Sequence, residues 1–188
     1  MTKPMKGTMP RSKDPTIDSA HKDFLKTDLK CIAENIMIVD LLRNDLSKIS
    51  KPGSVKVTDL LTIESFKTVH QMVSSIQSEV DVEITFLNII RHLFPCGSIT
   101  GAPKRRTMTI ISELEHKARG VYTGAFGYIT PDNDMCFNVS IRTFHLGGGR
   151  GELGIGGGIL VDSDPAVEFE EMQLKARFFT EMDGVCDQ

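Results

Sequence analysis

The sequence predicts an α+β fold in which a largely antiparallel sheet is packed by helices. Three observations carry that prediction. Apolar residues recur at three and four from Ile17 to Leu46, three glycine-punctuated β-rich segments come after Gly120, and a helix signature opens at Asp164-Pro165. The chain has 188 residues, 40% hydrophobic and 25% charged, which is enough for a substantial core and ordinary for a globular protein.

Residues 1–16 carry three prolines and one glycine without periodicity, and read as an opening loop that is poorly anchored. The domain proper is expected over 17–182. Ile17, Ala20 and Phe24, then Leu29, Ile32, Ile36, Val39, Leu42 and Leu46, fit one or two helices ending near Ser47. Asp18 and Asp23 suit the start of such a helix, where the dipole favours acids. "KPGSV" ends the run, and "VKVTDLLTI" and "SFKTVHQMVSSIQSEV" are β-branched and partly alternating, so they predict strands. "VEITFLNIIRHLF" predicts a helix stopped by Pro95, and a further helix is expected from Pro103 to Gly120. "VYTGAFGYIT", "MCFNVSIRTFHL" and "ELGIGGGILV" then predict three adjacent antiparallel strands joined by "PDND" and "GGGRG" turns. The last helix is capped by Asp164 and started by Pro165.

Charge and cysteine content narrow the function. Lys+Arg 22 against Asp+Glu 25 gives a formal charge of −3, with no basic excess for nucleic acid and no polybasic segment for a membrane surface. No apolar run spans a bilayer and the N-terminus lacks the apolar core of a signal peptide, so a cytoplasmic location is expected. Cys31, Cys96, Cys136 and Cys186 are too scattered for a zinc site or a disulfide framework, and reduced, mostly buried thiols are expected.

Several short motifs suggest chemistry. "GRGELG" at 149–154 matches the dinucleotide fingerprint, but the residues after it look like another strand and not a helix, so a hairpin turn is the better reading. Three successive glycines, Gly156, Gly157 and Gly158, weaken a strand unless something approaches the backbone closely, whether a bulge, a strand crossing or a ligand. Glu168, Glu171 and Lys175 share a helix face, which fits either a solvated ion pair or carboxylates for a hard cation such as Mg²⁺. Glu34 lies among apolar residues, where an unpaired acid is costly, and is the candidate for a further ligand. "GSITGAPK" sets Ser98 and Thr100 at a helix start, fit for an anion or a plain cap. Lys6 sits between a proline and a glycine in "PMKGT", which fits either an ordinary solvated lysine in a turn or a turn that presents its amine to a ligand.

Taken in order, "PMKGT", "AENIMIVDLLRNDL", "TVHQMVSSI", "LFPCGSITGAPKRR", "GVYTGAFGYI", "FNVSIRTF", "GIGGGILVDSDP" and "EFEEMQLKA" resemble the chorismate-utilising enzymes. The resemblance is strongest to the catalytic region of aminodeoxychorismate synthase component I and runs from about residue 4 to 180, the C-terminal portion of that protein. It implies the core part of the chorismate-binding fold. It also implies Mg²⁺-dependent amination of chorismate to 4-amino-4-deoxychorismate, on the route to para-aminobenzoate and folate, with ammonia from a glutamine amidotransferase subunit. Within this resemblance Glu34 and Glu171, with Glu168 beside them, match the metal ligands, and His70 matches the histidine near the departing hydroxyl. Tyr122 and Arg142 match the residues on the enolpyruvyl carboxylate, Ser98, Thr100, Gly156, Gly157 and Gly158 face the substrate, and Lys175 joins the binding group. Lys6 matches the nucleophile and stands where anthranilate synthases typically carry alanine. The rival readings are anthranilate synthase component I and a non-catalytic chorismate-binding or amidotransferase-docking fragment. Without the family's upstream region the isolated chain is expected to be weakly active or inactive, and its exposed apolar surface offers a route to self-association.

Overall fold

The computed structural model describes residues 1–180, and the side chains of Arg177, Phe178 and Thr180 are outside the description. Compactness divides the chain into two units, Met1–Thr107 and Met108–Gln188.

Residues 5–10, expected in a loop, form a strand of the first unit instead. Strand β1 (Met5–Pro10) pairs antiparallel with β3 (Val69–Gln77), which pairs on its other side with β2 (Lys56–Ser65), giving the order β1-β3-β2. The pairing extends to the N-terminus, because Thr2 and Ile76 exchange backbone hydrogen bonds of 2.8 and 2.9 Å. Prolines at 4 and 10 hid this strand: proline donates nothing to a ladder, but Pro4 precedes the strand and Pro10 ends it at the sheet's edge, where that is tolerated.

Helices α1 (Pro15–Thr27) and α2 (Leu29–Ser47) resolve the helical stretch into two. Asp14 starts α1, its carboxylate accepting from the Thr16 amide at 2.8 Å, with Pro15 in the first turn. Asp28 serves both helices. Its amide donates to Phe24 O at 2.8 Å to close α1, and its carboxylate accepts from the Cys31 amide at 2.8 Å to cap α2. Ile38, Val39, Leu42 and Leu46 of α2 are buried with Ile49 and Ile76, forming the core of this unit. Asn35, also fully buried, is satisfied by donating to Met72 O at 3.4 Å and accepting from Ser74 Oγ at 2.6 Å. Ser74 Oγ in turn accepts from the Leu61 amide at 3.0 Å, where β2 bulges and Leu61 has φ of 56°. Helix α3 (Phe86–Leu93) carries a capping box between Thr85 and Asn88, and a single turn, α4 (Gly97–Thr100), comes after it. Helix α5 (Lys104–Leu114) crosses the boundary between the units and stops six residues before Gly120, since "EHKARG" offers no apolar stripe to hold further turns.

In the second unit the three expected strands are four, in two separate hairpins. Strand β4 (Ala125–Ile129) pairs with β5 (Met135–Val139), and β6 (Thr143–Gly147) with β7 (Arg150–Gly154). The segment "MCFNVSIRTFHL" is broken at Arg142, whose φ is 49°. Gly148 and Gly149, with φ of 57° and 73°, form the two-residue turn of the second hairpin, so "GRGELG" is hairpin chemistry as expected. The run Gly156, Gly157 and Gly158 lies beyond β7 in irregular backbone, not in a strand. Helix α6 (Pro165–Thr180) is capped as expected, Asp164 accepting from the Ala166 and Val167 amides at 2.9 and 3.1 Å. Phe179 of α6 stacks on Phe144 of β6 with centroids 4.9 Å apart.

Among the described residues, Cys31, Cys96 and Cys136 are free thiols, the first two half-buried and Cys136 exposed, while Cys186 lies outside them. No described helix is long and apolar enough to cross a membrane.

Gly7 interrupts the register of β1 between Met5 and Thr8 with φ of 86°, and a Cβ there would lie 3.1 Å from Cys31 Cβ and Sγ. Gly53 has φ of 76° but open space around it. Gly7→Ala is therefore expected to cost about 2–4 kcal/mol and Gly53→Ala about 1 kcal/mol. Urea midpoints of the two variants measure the difference, and equal losses would refute the close approach at Gly7.

Candidate functional site

The first unit brings Lys6 and Glu34 together. The bulge at Gly7 lifts β1 out of register beside Lys6, and a bulge of this kind re-aims the side chains next to it. Lys6 Nζ lies 3.8 Å from Glu34 Oε2 on α2, the two side chains 24% and 20% exposed. That is an ion pair at the edge of contact. Glu34 is thus half-buried, and its partner is a lysine of the opening segment. Cys31, one turn earlier on α2, is pushed up to about 12, chiefly by burial and then by its hydrogen bond to Asp28, so this thiol beside Gly7 is inert.

His70 belongs to a different network. It has no exposed surface; Nδ1 is 2.9 Å from Ser65 Oγ and Nε2 is 2.8 Å from Asp18 Oδ1. The same Asp18 oxygen accepts from Arg11 Nε and the Ser12 amide, each at 2.9 Å. Arg11 also donates to Phe66 O at 2.9 Å, so the end of β1, the start of α1 and the β2–β3 turn are tied at one point. The resemblance puts His70 beside a leaving hydroxyl, but a ring with both nitrogens engaged reaches a ligand only if this chain of hydrogen bonds opens. Asp18, noted in the sequence only for the helix dipole, is the residue that organises it.

Ser98 and Thr100 lie half-buried in α4. Ser98 Oγ is 3.1 Å from Cys96 Sγ, and Thr100 Oγ1 donates to Gly101 O at 3.3 Å. The segment is fixed to α2 by two contacts that sequence reasoning missed. A Cβ on Gly97 would fall 2.2 Å from Leu41 Cδ2, so the backbone lies flush on that leucine. Lys104 Nζ sits 2.5 Å from Oδ2 of Asp45, which is 2% exposed and also accepts from Lys48 at 3.1 Å. The signal was present: Asp45, like Glu34, is an acid within an apolar helical stripe, where an unpaired charge is costly.

The second unit gathers Glu168, Glu171, Lys175 and the glycine run. Lys175 Nζ pairs with Glu171 Oε1 at 2.6 Å and donates to Gly156 O at 3.4 Å. Glu168 Oε1 accepts from Ser163 Oγ at 2.6 Å, and a Cβ on Gly157 would be 3.2 Å from Glu168 Oε2 and 3.8 Å from Lys175 Nζ. A side chain at Gly157 would thus meet the Glu168 carboxylate closely and the Lys175 ammonium at ordinary contact distance. Tyr122 likewise lies close to this backbone, since a Cβ on Gly154 or Gly156 would fall 2.3 Å from its Cγ or 2.5 Å from its Oη. Burial raises the Tyr122 phenol above its usual range, and Arg119 stands 6.0 Å over its ring. Arg142 is exposed at the corner between β5 and β6.

Among the described residues no three His, Cys, Asp or Glu side chains gather as a metal cluster. The donors expected for Mg²⁺ are nonetheless of the right kind, since carboxylate oxygens suit a hard cation that keeps other positions for water or substrate. Glu34 meets Lys6 only across 3.8 Å, and Glu168 and Glu171 lie one turn apart on α6.

The Arg11 guanidinium, followed by the Ser12 amide, holds the Asp18 carboxyl well below its usual range against the opposing effect of burial. A carboxyl lowered by folding stabilises fully above its unfolded pKa, and that contribution fades as pH falls through the lowered value. The melting temperature of Asp18→Asn is expected to lie below wild type at pH 5, with the gap closing toward pH 2. A gap that widens on acidification would show that the carboxylate is not what these partners hold.

Comparison with known proteins agrees with this fold. A profile of chorismate binding enzymes matches residues 1–181. The chloroplastic aminodeoxychorismate synthase of Arabidopsis thaliana is 45% identical over 175 residues, covering 93% of this chain and 19% of that protein. Aminodeoxychorismate synthase component 1 of Klebsiella aerogenes is 42% identical over 90% of this chain and 38% of its own length. Anthranilate synthase component 1 of Neisseria meningitidis serogroup B is also 42% identical, over 94% of this chain and 36% of its own. The crystal structure of anthranilate synthase component I from Streptococcus pneumoniae superposes with a TM-score of 0.84 at 36% identity, over 94% of this chain and 38% of that one. The chain thus spans between about a fifth and two fifths of these relatives. With its fold, its motif order and the profile match all concordant, the chain belongs to the chorismate binding enzyme family.

Proposed function

We propose that this chain carries the aminating chemistry of an aminodeoxychorismate synthase, converting chorismate and ammonia to 4-amino-4-deoxychorismate. The observation that carries the reading is Lys6, set beside Glu34 at 3.8 Å by a bulge that only glycine makes at low cost. The relatives named aminodeoxychorismate synthase, at 42 to 45% identity, support it.

The Lys6 amine attacks C2 of chorismate as the C4 hydroxyl leaves with a proton as water, and ammonia then adds at C4 and expels the lysine from C2. Attack requires the neutral amine, and so requires the Glu34 contact to release it. Glu34, Glu168 and Glu171 are the proposed ligands of Mg²⁺, which when bound neutralises the ring carboxylate of the substrate. A Mg²⁺ ion held there would engage the Glu34 carboxylate that Lys6 meets at 3.8 Å, leaving the amine to the substrate. Lys175, already on Glu171 and Gly156 O, keeps that carboxylate and the glycine backbone in place, while Tyr122 and Arg142 meet the enolpyruvyl carboxylate, for which a planar guanidinium is well shaped. Ser98 and Thr100 supply hydroxyls. In the cell ammonia comes from a glutamine amidotransferase subunit.

The competing reaction is anthranilate formation, and 42% identity to an anthranilate synthase makes it the second reading. Products from chorismate and ammonia decide between them: a 4-amino compound without pyruvate is expected, and anthranilate with pyruvate would overturn the proposal. Lys6→Ala is expected to lower amination at least about a hundredfold and to abolish the covalent adduct seen by mass spectrometry. Glu34→Gln and Glu171→Gln are each expected to weaken Mg²⁺-dependent chorismate binding about tenfold or more in a titration.

A further inference from the structure

Asp45 and Lys104 form a buried charge pair in the first unit that the proposed chemistry leaves unused, and its position is informative. Leu41 and Asp45 are one turn apart on α2. Leu41 lies under Gly97, and Asp45 takes Lys104, so the two residues grip the two ends of the segment 97–104. Ser98 and Thr100 lie between the grips, in a turn closed by the Gly101 amide on Gly97 O at 2.8 Å. Glu34 precedes Leu41 by about two turns on the same helix face, so α2 carries the Lys6 partner at one point and this clamp at another.

We infer that Asp45 and Lys104 are positioning residues: their ion pair fixes the register of 97–104 on α2 and so sets where the Ser98 and Thr100 hydroxyls stand. The role of those hydroxyls toward substrate rests on the function proposed above; the clamp does not. An ion pair suits the task because it requires one geometry. Asp45 is 2% exposed and Lys104 16%, so the lysine stem fills the gap while its ammonium meets the oxygen that Lys48 leaves to it. Lys48, at 44% exposed, satisfies the other oxygen from the solvent side and cannot replace Lys104 as a tether, since it belongs to α2's own C-terminal cap. An apolar pair of similar volume would fill the same space without specifying a register, which is why burial alone does not explain these two charges.

Two kinds of variant separate register from stability. Removing one partner, as in Asp45→Asn or Lys104→Met, leaves Lys104 without a carboxylate or Asp45 with Lys48 alone, and is expected to lower the melting temperature. The double variant Asp45→Leu/Lys104→Met removes both charges and is expected to recover most of that loss. In this stable double variant, hydrogen exchange of the amides of residues 98–101 is expected to quicken about tenfold while the core amides of α2 keep their protection, and chorismate binding to weaken by a similar factor. Lys104→Arg, which keeps the cation, is expected to retain wild-type exchange. Unchanged exchange at 98–101 in the double variant overturns the inference. If the wild-type chain fails to bind chorismate, the proposed function falls while the exchange result still judges the clamp.

Discussion

A carboxylate withdrawn from water has to be met by a cation within a few ångströms, and the first unit is organised around three places where this happens. Glu34 meets Lys6, Asp18 meets Arg11, and Asp45 meets Lys104. Each pair joins separate elements: the opening strand to α2, the end of that strand to α1, and the start of α5 to α2. Two of the three acids belong to α2, whose adjoining face buries Ile38, Val39, Leu42 and Leu46. The apolar face fixes the helix in the core, and the acidic positions then fix the proline- and glycine-rich segments on either side of it. Burial provides the energy here, and the ion pairs provide direction.

The second unit obeys another logic, in which side chains press on bare backbone. Tyr122 lies on Gly154 and Gly156, and Glu168 and Lys175 crowd Gly157. Lys175 joins the two themes, holding Glu171 with its charge and Gly156 O with a hydrogen bond.

How much the sequence made legible depended on which forces act locally. Caps and turns were readable because one side chain and two or three amides decide them: Asp164 with Pro165, and Gly148 with Gly149. Helical spacing located α1 and α2 to within a few residues. Strand β1 was not readable, because its partners lie some sixty residues away and its own prolines argue for a loop. The split of "MCFNVSIRTFHL" into β5 and β6 was hidden for the opposite reason: a β-branched run with no glycine or proline disguises the left-handed Arg142 that breaks it. The glycine run was read as a strand that something approaches closely; it lies outside any strand, and at Gly156 and Gly157 the fold's own tyrosine, glutamate and lysine come near. Lys6 and Glu34 were singled out from sequence and do meet, whereas the pairings of Asp18, Asp45 and Lys104 escaped notice because contact across the fold leaves no local trace.

The shared residue between α1 and α2 bears on how this architecture tolerates change. Since Asp28 both closes one helix and opens the next, the junction has no spare link in which an added residue can be absorbed. One extra residue within the first turns of α2 would swing everything beyond it by about 100° about the helix axis. Such a swing would carry Glu34, Leu41 and Asp45 away from their partners together. The spacing from Asp28 to Asp45 therefore acts as a ruler against which the rest of the unit is measured.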